Sequence, residues 1–283
     1  MKRFGNSSFA IFFRKFPQLL LAGAIFSAFF SAFTALSFLA ANLSGFYNII
    51  IIGLGIIPSA LFLPGLVMVS RKYGVEKQFV PVLKTFFASV RENFKPFILH
   101  GFVIYFIIAC STFAIMYYGV GALVSSVYSM VLIIYVLFTM VLMVALFYLP
   151  LMSVTYSLRL RDLYKNSILL VFGTILRNIG ALAYTIFIGG VAFLCFLYTD
   201  GVFRYITLAL VVLLCPLLIC YGTTAIISKG MQENVGPFVG VQPVKKEAVT
   251  DDDIIAASEL RSDDDYIFVN GKMVKNPNKE EAK

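Results

Sequence analysis

Six long apolar runs constrain this sequence more than any other feature, because none of them contains Asp, Glu, Lys or Arg. A helix of about 20 apolar residues covers the hydrocarbon core of a bilayer. Helices of that kind are predicted at about 18–41, 47–69, 97–118, 126–154, 179–198 and 205–228. The chain carries only 13% charged residues, whereas a soluble domain carries about 25%. The sequence therefore predicts an all-α, polytopic membrane bundle with six transmembrane helices, formed by residues 18–228.

The basic residues predict how this bundle is oriented. Of the 23 Lys and Arg residues, 22 lie in residues 1–17, in the 70–96 and 155–178 connections, or after the last apolar run. The other three connections contain only Arg204. Basic residues in short connections remain in the cytoplasm. Both the N-terminal segment and the C-terminal tail are therefore expected on the cytoplasmic side of the cell membrane.

The connection between the second and third runs contains KTFFASVRENFK (residues 84–95), which has the pattern of an amphipathic surface helix. The apolar residues in and just before it follow the spacing of one helical face: Phe79, Val82, Leu83, Phe86, Phe87, Val90 and Phe94. Lys84, Arg91 and Lys95 fall mostly on the other face. Such a helix lies at the headgroup boundary, with its apolar face in lipid or against the bundle. Its basic side chains are predicted to contact the anionic inner leaflet, at about 1 kcal/mol each, or a protein partner.

The connection between the fourth and fifth runs reads as a weaker copy of this helix. One of its faces is apolar, with Leu163, Ile168, Leu169, Phe172, Ile175 and Ile179. Lys165 and Arg177 are its candidate contacts with the membrane surface or a partner. An alignment that pairs Asn93 with Asn178 also pairs Phe87 with Phe172. Each of the two cytoplasmic surface helices lies between a span that enters the cytoplasm and a span that leaves it. The two units are either a parallel repeat or two similar sequences that the same requirements for a surface helix produced.

Prolines interrupt three of the predicted spans and are candidate helix kinks. They are Pro58 and Pro64 in the second span, Pro150 in the fourth and Pro216 in the sixth. A broken helix in a membrane forms a binding site where it lines a cavity. The second span offers the best such stretch, GLGIIPSALFLPG (53–65), and kinked packing is the alternative interpretation.

The candidate chemical groups favour a protein that is not an enzyme. The sequence contains no Gly-rich phosphate loop, nucleophile–base pair, metal-ligand spacing or nucleotide motif, so no catalytic residue, cofactor, metal or nucleic-acid partner is predicted. His100, the single histidine, is either a titrating group or an interfacial side chain. The four cysteines lie in apolar runs and are expected to be buried thiols: Cys110, Cys195, Cys215 and Cys220. Several polar side chains lie within the spans, and we expect them either to line a solute path or to form interhelical hydrogen bonds. They are Asn42, Ser59, Tyr105, Thr112, Tyr135, Thr139, Tyr184, Thr185 and Tyr221.

The tail, residues 229–283, has a different composition from the membrane domain and is more acidic than basic. Thr250 followed by three aspartates predicts a short capped helix at about 251–261. The Asn-Gly pair in YIFVNGKMVK predicts a hairpin at 266–275. A disordered, solubilising tail is the alternative.

The stretches FFASVRENFK (86–95) and YLPLMSVTYSLRLRDLYKNSILL (148–170) resemble the YesL-like family of bacterial predicted membrane proteins, a domain of unknown function. The resemblance covers most of residues 20–228. It departs after RKYG (71–74), where the family more often carries a Gly-Glu pair and this chain has Glu76 only nearby. The resemblance implies no catalytic residues. It implies an accessory role beside carbohydrate ABC importers.

Three functions follow from these observations. The first is a non-enzymatic accessory protein of the bacterial cytoplasmic membrane that binds components of a carbohydrate ABC importer. The second is a small permease for a neutral solute such as a sugar. The third is an ABC permease subunit, which ranks last because no Glu-Ala-Ala-like loop with its following glycine is present.

Overall fold

The computed structural model of the protein describes residues 8–45, 48–239, 266–269 and 272–275. Residues 1–239 and residues 240–283 form two separate compact units. The helices of the first unit are, in chain order, α1 (Ser8–Arg14), α2 (Phe16–Ser44), α3 (Ile49–Ile52), α4 (Ile56–Ser59), α5 (Leu63–Gly74), α6 (Val82–Glu92), α7 (Phe94–Ala122), α8 (Ser126–Thr155), α9 (Leu160–Gly173), α10 (Ile175–Leu197) and α11 (Gly201–Val239).

The predicted all-α membrane bundle is confirmed. Six helices are long and apolar enough to cross a membrane: Phe16–Ser44, Ile50–Gly74, Phe94–Ala122, Ser126–Thr155, Ile175–Leu197 and Gly201–Pro237. The chain is therefore a multi-pass membrane protein. The helices α6 and α9 lie in the two connections where amphipathic surface helices were predicted.

The second spanning helix is irregular because it contains two short 3₁₀ turns, Gly53–Gly55 and Ala60–Phe62, between α3, α4 and α5. Its neighbours approach its backbone closely. At Gly101 of α7, a side chain would place its Cβ 2.6 Å from the Ile57 carbonyl oxygen. A small residue at such a crossing lets two helix backbones pack directly together. Pro64 occupies the first turn of α5, a position where the missing amide N–H costs no helical hydrogen bond.

One arrangement occurs three times along residues 8–239. A short helix (α1, α6 or α9) is followed by a single non-helical residue, then by a leading span (α2, α7 or α10) and a returning span. The non-helical residues are Lys15, Asn93 and Thr174. The returning span contains a proline each time: Pro64 in α5, Pro150 in α8 and Pro216 in α11. We call residues 8–74, 82–155 and 160–239 the first, second and third modules.

The sequence pattern predicted two of the three short helices and missed α1. This helix is only seven residues long and ends in Arg14, and Lys15 follows it before the first apolar run. Phe12 shows that it belongs to the bundle, because its ring is buried and lies 5.1 Å, centroid to centroid, from the ring of Tyr221 on α11.

The three modules pack in a cyclic order. The returning helices α5, α8 and α11 contact one another at the centre of the unit. The leading helix α7 lies against its own returning helix α8 and against α4 of the first module, and α10 lies against α11 and α8. The first module closes the order, because α2 lies against both α5 and α11. A hydrogen bond from the Ser27 hydroxyl to the Val212 carbonyl, 2.7 Å long, joins α2 to α11.

The buried core lies near the end of the bundle that carries α1, α6 and α9, which we call the basic end. Two clusters of buried apolar side chains occupy it, one around Tyr148, Met152 and Leu163 and the other around Phe86 and Leu19. Towards the opposite end, large apolar side chains of α7, α8, α10 and α11 are exposed. A bilayer satisfies this exposure because lipid chains are as apolar as these side chains.

The last helix continues beyond the predicted start of the tail at residue 229, since α11 ends only at Val239. Met231 and Val235 are buried, so the final turns pack against the bundle rather than extending freely. Hydropathy shows where the apolar run ends, but not where the helix ends. This helix continues past the apolar run and includes the charged residues Lys229 and Glu233.

In the second unit, strands β1 (Tyr266–Val269) and β2 (Lys272–Lys275) pair antiparallel, with Tyr266 opposite Lys275 and Val269 opposite Lys272. The helix predicted at 251–261 lies outside the described residues.

Candidate functional site at the basic end

Helix α6 divides its circumference into three sectors. Val82, Phe86 and Ser89 are buried against the bundle. At about 100° per residue, Leu83 and Phe87 come next, and they are 54% and 46% exposed. Lys84 and Arg91 lie beyond them and are exposed. The apolar stripe seen in the sequence is therefore shared between the bundle and the surroundings of the protein.

The buried sector of α6 is held against α5 by one close contact and one hydrogen bond. The Phe86 ring lies directly over Gly65, where a Cβ atom would come within 2.6 Å of the ring. The Ser89 hydroxyl donates to the Pro64 carbonyl at 3.0 Å. Glycine at 65 therefore makes room for the ring, and the serine binds a carbonyl at the start of α5.

The junction of α9 and α10 is held instead by a buried polar network. The Asn178 side-chain amide donates to the carbonyls of Leu170 at 3.0 Å and Val171 at 2.8 Å. Its oxygen accepts a hydrogen bond of 2.6 Å from the Tyr148 hydroxyl, which also contacts the Thr174 hydroxyl at 2.6 Å. These bonds add a side-chain donor to two carbonyls at the end of α9, of which the Leu170 carbonyl also accepts from the Thr174 amide and hydroxyl.

A second polar cluster lies where α5 ends. Arg71 contacts Glu76 at 2.6 Å and donates to the Val154 carbonyl at 3.1 Å. Lys72 contacts the other oxygen of Glu76, also at 2.6 Å. Glu76 thus bridges two basic residues of the first module, and Arg71 connects them to the end of α8 in the second.

A groove of about 610 Å³ opens beside this cluster, between the α6–α7 junction and the α8–α9 connection. Its lining includes Glu92, Lys95, Tyr156, Arg159 and Leu163. The connection is extended at its two ends, with φ −126° and ψ 139° at Tyr156 and φ −65° and ψ 147° at Arg159. Burial raises the pKa of Tyr156, although the nearby Arg71 charge opposes this. The phenol therefore remains neutral at physiological pH.

His100 joins the second module to the third. Its Nδ1 lies 2.8 Å from the Tyr164 hydroxyl on α9, and the imidazole is fully buried. Burial raises the pKa of Tyr164 to about 12, so that the hydroxyl keeps its proton. The Nε2 atom of His100 is buried and makes no hydrogen bond among the described residues. His100 is therefore an interior residue, whereas its position near the end of an apolar run suggested an interfacial one.

The predicted surface contacts divide into two groups. Lys84, Arg91, Lys95 and Lys165 are exposed. Arg177 is half-buried and contacts Glu233 of α11 at 2.8 Å. That partner lies 56 residues away in the sequence, beyond the predicted end of the membrane domain, so the sequence pattern did not indicate it.

The candidate kinks also divide into two groups. Pro150 and Pro216 lie inside the long helices α8 and α11. Pro58 lies in α4 and Pro64 at the start of α5, beside the 3₁₀ turns.

The cysteines are unpaired, and Cys110 and Cys195 are exposed on the apolar part of the bundle rather than buried.

A second group of cavities lies towards the end opposite the basic end. A cavity of about 710 Å³ is lined by Asn48, Thr112, Tyr117 and Tyr128, among others. A neighbouring one of about 630 Å³ shares Tyr117 with it and adds Tyr105, Tyr118 and Tyr135. The Tyr105 hydroxyl donates to the Ile50 carbonyl at 3.1 Å, which fixes the start of the irregular span.

The described residues contain no group of three or more His, Cys, Asp or Glu side chains that could hold a metal ion. Comparison of the chain with protein-family models, with curated proteins and with solved structures finds no match.

Proposed function

We propose that this chain is a non-enzymatic accessory protein of the bacterial cytoplasmic membrane, with both chain ends in the cytoplasm. We further propose that its basic end binds a component of a carbohydrate ABC importer. The observation that carries the proposal is the groove between the α6–α7 junction and the α8–α9 connection. The resemblance of the surface-helix stretches to the YesL-like family supplies the class of partner.

The backbone of the α8–α9 connection supports a protein partner. Ser157 and Leu158 line the groove, and no hydrogen bond to either residue is found within the described part of the chain. Tyr156 and Arg159 on either side have extended backbones. Main-chain amides and carbonyls without partners, in a connection whose two ends are extended, favour binding of an extended segment through main-chain hydrogen bonds.

The charges of the groove favour a partner segment that carries acidic residues. Lys95 and Arg159 line it and are exposed, and Glu92 is the acidic residue beside them. The groove is therefore positive overall. Complementary charge mainly accelerates association and selects the partner.

Site-specific photocrosslinking in membranes tests the proposal directly. A photoreactive amino acid at Ser157 is expected to crosslink to one importer component in cells that take up the relevant sugar. The same amino acid at the exposed Lys165 position is the matched control and should not give that product. The charge reversals K95E and R159E together should reduce co-purification of the component. A chain that runs alone in mild detergent, with sugar uptake unchanged in a deletion strain, contradicts the proposal.

A small permease for a neutral solute is the second candidate, and the tyrosine-lined cavities favour it. Tyr117, Tyr118, Tyr128 and Tyr135 lie within 6.4 Å of one another in successive ring pairs. Aromatic rings with hydroxyl groups suit an uncharged, hydroxylated ligand. Sugar uptake into liposomes that contain the purified chain tests this candidate, with Tyr117→Ala and Tyr135→Ala expected to slow it. Liposomes that take up no sugar exclude it.

A further inference from the structure

The short helix α1 and the surface helix α6 share one part of the core. Phe12 and Leu19 belong to the same buried cluster as Val82 and Phe86. The Nζ atom of Lys15, at the break between α1 and α2, lies 4.4 Å from the centroid of the Phe79 ring. Lys15, which follows α1, is therefore brought next to the segment that leads into α6, although about 65 residues separate the two in the sequence.

The surface of this region combines exposed aromatic and aliphatic side chains with basic ones. Phe79 is 68% exposed and Phe13 is 61% exposed. We call this region the α1–α6 corner, and define it as Phe13, Arg14, Lys15, Phe79, Leu83, Lys84, Phe87 and Arg91.

The order of the side chains around α6 matches the order of layers in a membrane surface. The buried sector contacts the bundle, the sector of Leu83 and Phe87 follows, and the sector of Lys84 and Arg91 comes last. Large apolar side chains at a membrane-lying helix insert into the headgroup and acyl boundary. Basic side chains beside them then lie at the depth of the lipid phosphates. Glu92, the acidic residue of α6, lies further around the helix than Lys84 and Arg91.

Helix α9 differs in a way that provides a control. Its exposed basic residues, Arg161 and Lys165, lie in its first half, and its exposed apolar residues Ile168, Leu169 and Phe172 lie in its second half. Asp162 lies between the two basic residues in the sequence. Apart from Leu160, which is exposed at the first position of the helix, the basic and apolar groups of α9 are thus separated along the helix rather than around it.

We infer that the α1–α6 corner is a binding site for an anionic phospholipid. Lys84, Arg91 and Arg14 bind the headgroup, and the acyl chains lie against Phe79, Leu83 and Phe87. This inference goes beyond the proposed function because it requires no protein partner and uses residues outside the groove.

Native mass spectrometry of the full chain, released from detergent, tests the inference. The protein is titrated with phosphatidylglycerol or with phosphatidylcholine, and the fraction of each lipid-bound species is measured. The wild-type chain is expected to bind phosphatidylglycerol more tightly. Each basic residue at an anionic surface contributes roughly fivefold, so K84Q combined with R91Q should weaken phosphatidylglycerol binding by about 25-fold. Phosphatidylcholine binding should be unchanged.

The double variant R161Q and K165Q is the matched control, because it removes the same charge from exposed positions of the other surface helix. It should leave phosphatidylglycerol binding at the wild-type level. Thermal unfolding of both variants should match the wild type, since all four side chains are exposed.

Three outcomes overturn the inference. The first is equal binding of the two lipids by the wild-type chain. The second is an equal loss in the α6 and α9 variants, which indicates nonspecific attraction to net charge. The third is displacement of the bound lipid by excess inorganic phosphate, which indicates a site for free phosphate rather than for a lipid.

Discussion

The two surface helices α6 and α9 occupy equivalent places in the second and third modules, yet different forces hold them. Helix α6 is fixed by shape, since the Phe86 ring lies on Gly65. The end of α9 is fixed by polarity, since Asn178, Thr174 and Tyr148 form a buried network there. The same arrangement of helices therefore rests on an apolar contact and one serine hydrogen bond in one module, and on a network of hydrogen bonds in the other.

The difference also changes which residues correspond between the modules. The sequence pairs Asn93 with Asn178, but the breaks before the leading spans fall at Asn93 and Thr174. Asn178 is thus one helical turn further along α10 and has a different task. The Asn93 side-chain amide donates instead to the Ser89 carbonyl of α6, at 3.0 Å.

Replacing Gly65 with valine is expected to have the largest effect. The first added atom comes within 2.6 Å of the Phe86 ring, which is fully buried. Overpacking of this kind should lower the free energy of unfolding by about 3 kcal/mol. Unfolding by a denaturing detergent measures the change. Adding Phe86→Leu to the same chain should restore part of the loss. A Gly65→Val variant that is as stable as the wild type contradicts the close contact between Gly65 and Phe86.

Replacing Asn178 with alanine should cost less, at about 2 kcal/mol of unfolding free energy, because it removes two buried bonds to carbonyls and one of the two partners of the Tyr148 hydroxyl. Asn93→Ala is the comparison, and it removes a single bond from a half-buried side chain. Equal losses in the two variants, measured by the same unfolding assay, support the alignment that pairs the two asparagines and contradict the structural correspondence.

The two buried serines sharpen the comparison further. Ser89 donates to a carbonyl, whereas Ser167 contacts the Met152 sulfur at 3.7 Å. Because a thioether is a weak acceptor, Ser89→Ala should destabilise the protein by about 1 kcal/mol and Ser167→Ala by much less. Thermal unfolding of the two variants side by side measures the difference. A larger effect at Ser167 contradicts the relative strengths assigned to these two serine contacts.

The smallest effect is expected at Arg177. Its partner Glu233 is half exposed, so water and salt screen the pair. Arg177→Gln should change the free energy of unfolding by less than about 0.5 kcal/mol. Repeating the measurement at high salt should remove even this change. A larger effect that persists in salt means that the guanidinium packs as well as pairs.

The sequence predicts those parts of the fold that depend on solvent preference alone. Long uncharged runs locate the six spans, and helical spacing locates α6 and α9, because lipid and water select residues at each position independently. Helix α1 was not predicted, since seven residues carry too little periodic signal. The continuation of α11 to Val239 was not predicted either, because burial of Met231 and Val235 depends on helices far away in the sequence.

The candidate site was predictable only in part for the same reason. Charge and spacing indicated Lys84, Arg91 and Lys95, which are exposed on the basic end. The groove beside Lys95 is lined by Tyr156 to Arg159, and the Lys15–Phe79 contact joins the first module to the segment before α6. Neither has a local sequence signal, because each depends on how separate helices pack.

The hydrogen bond between the His100 imidazole and the Tyr164 hydroxyl has a practical consequence for spectroscopy. The chain contains one histidine, so selective ¹⁵N labelling of histidine in a protein with a histidine-free affinity tag produces a single imidazole spin system. The chemical shifts of its two ring nitrogens depend on which one carries the proton. Recorded in bilayers of different thickness or charge, that one pair of resonances reports whether α7 and α9 remain in register, without any label being introduced.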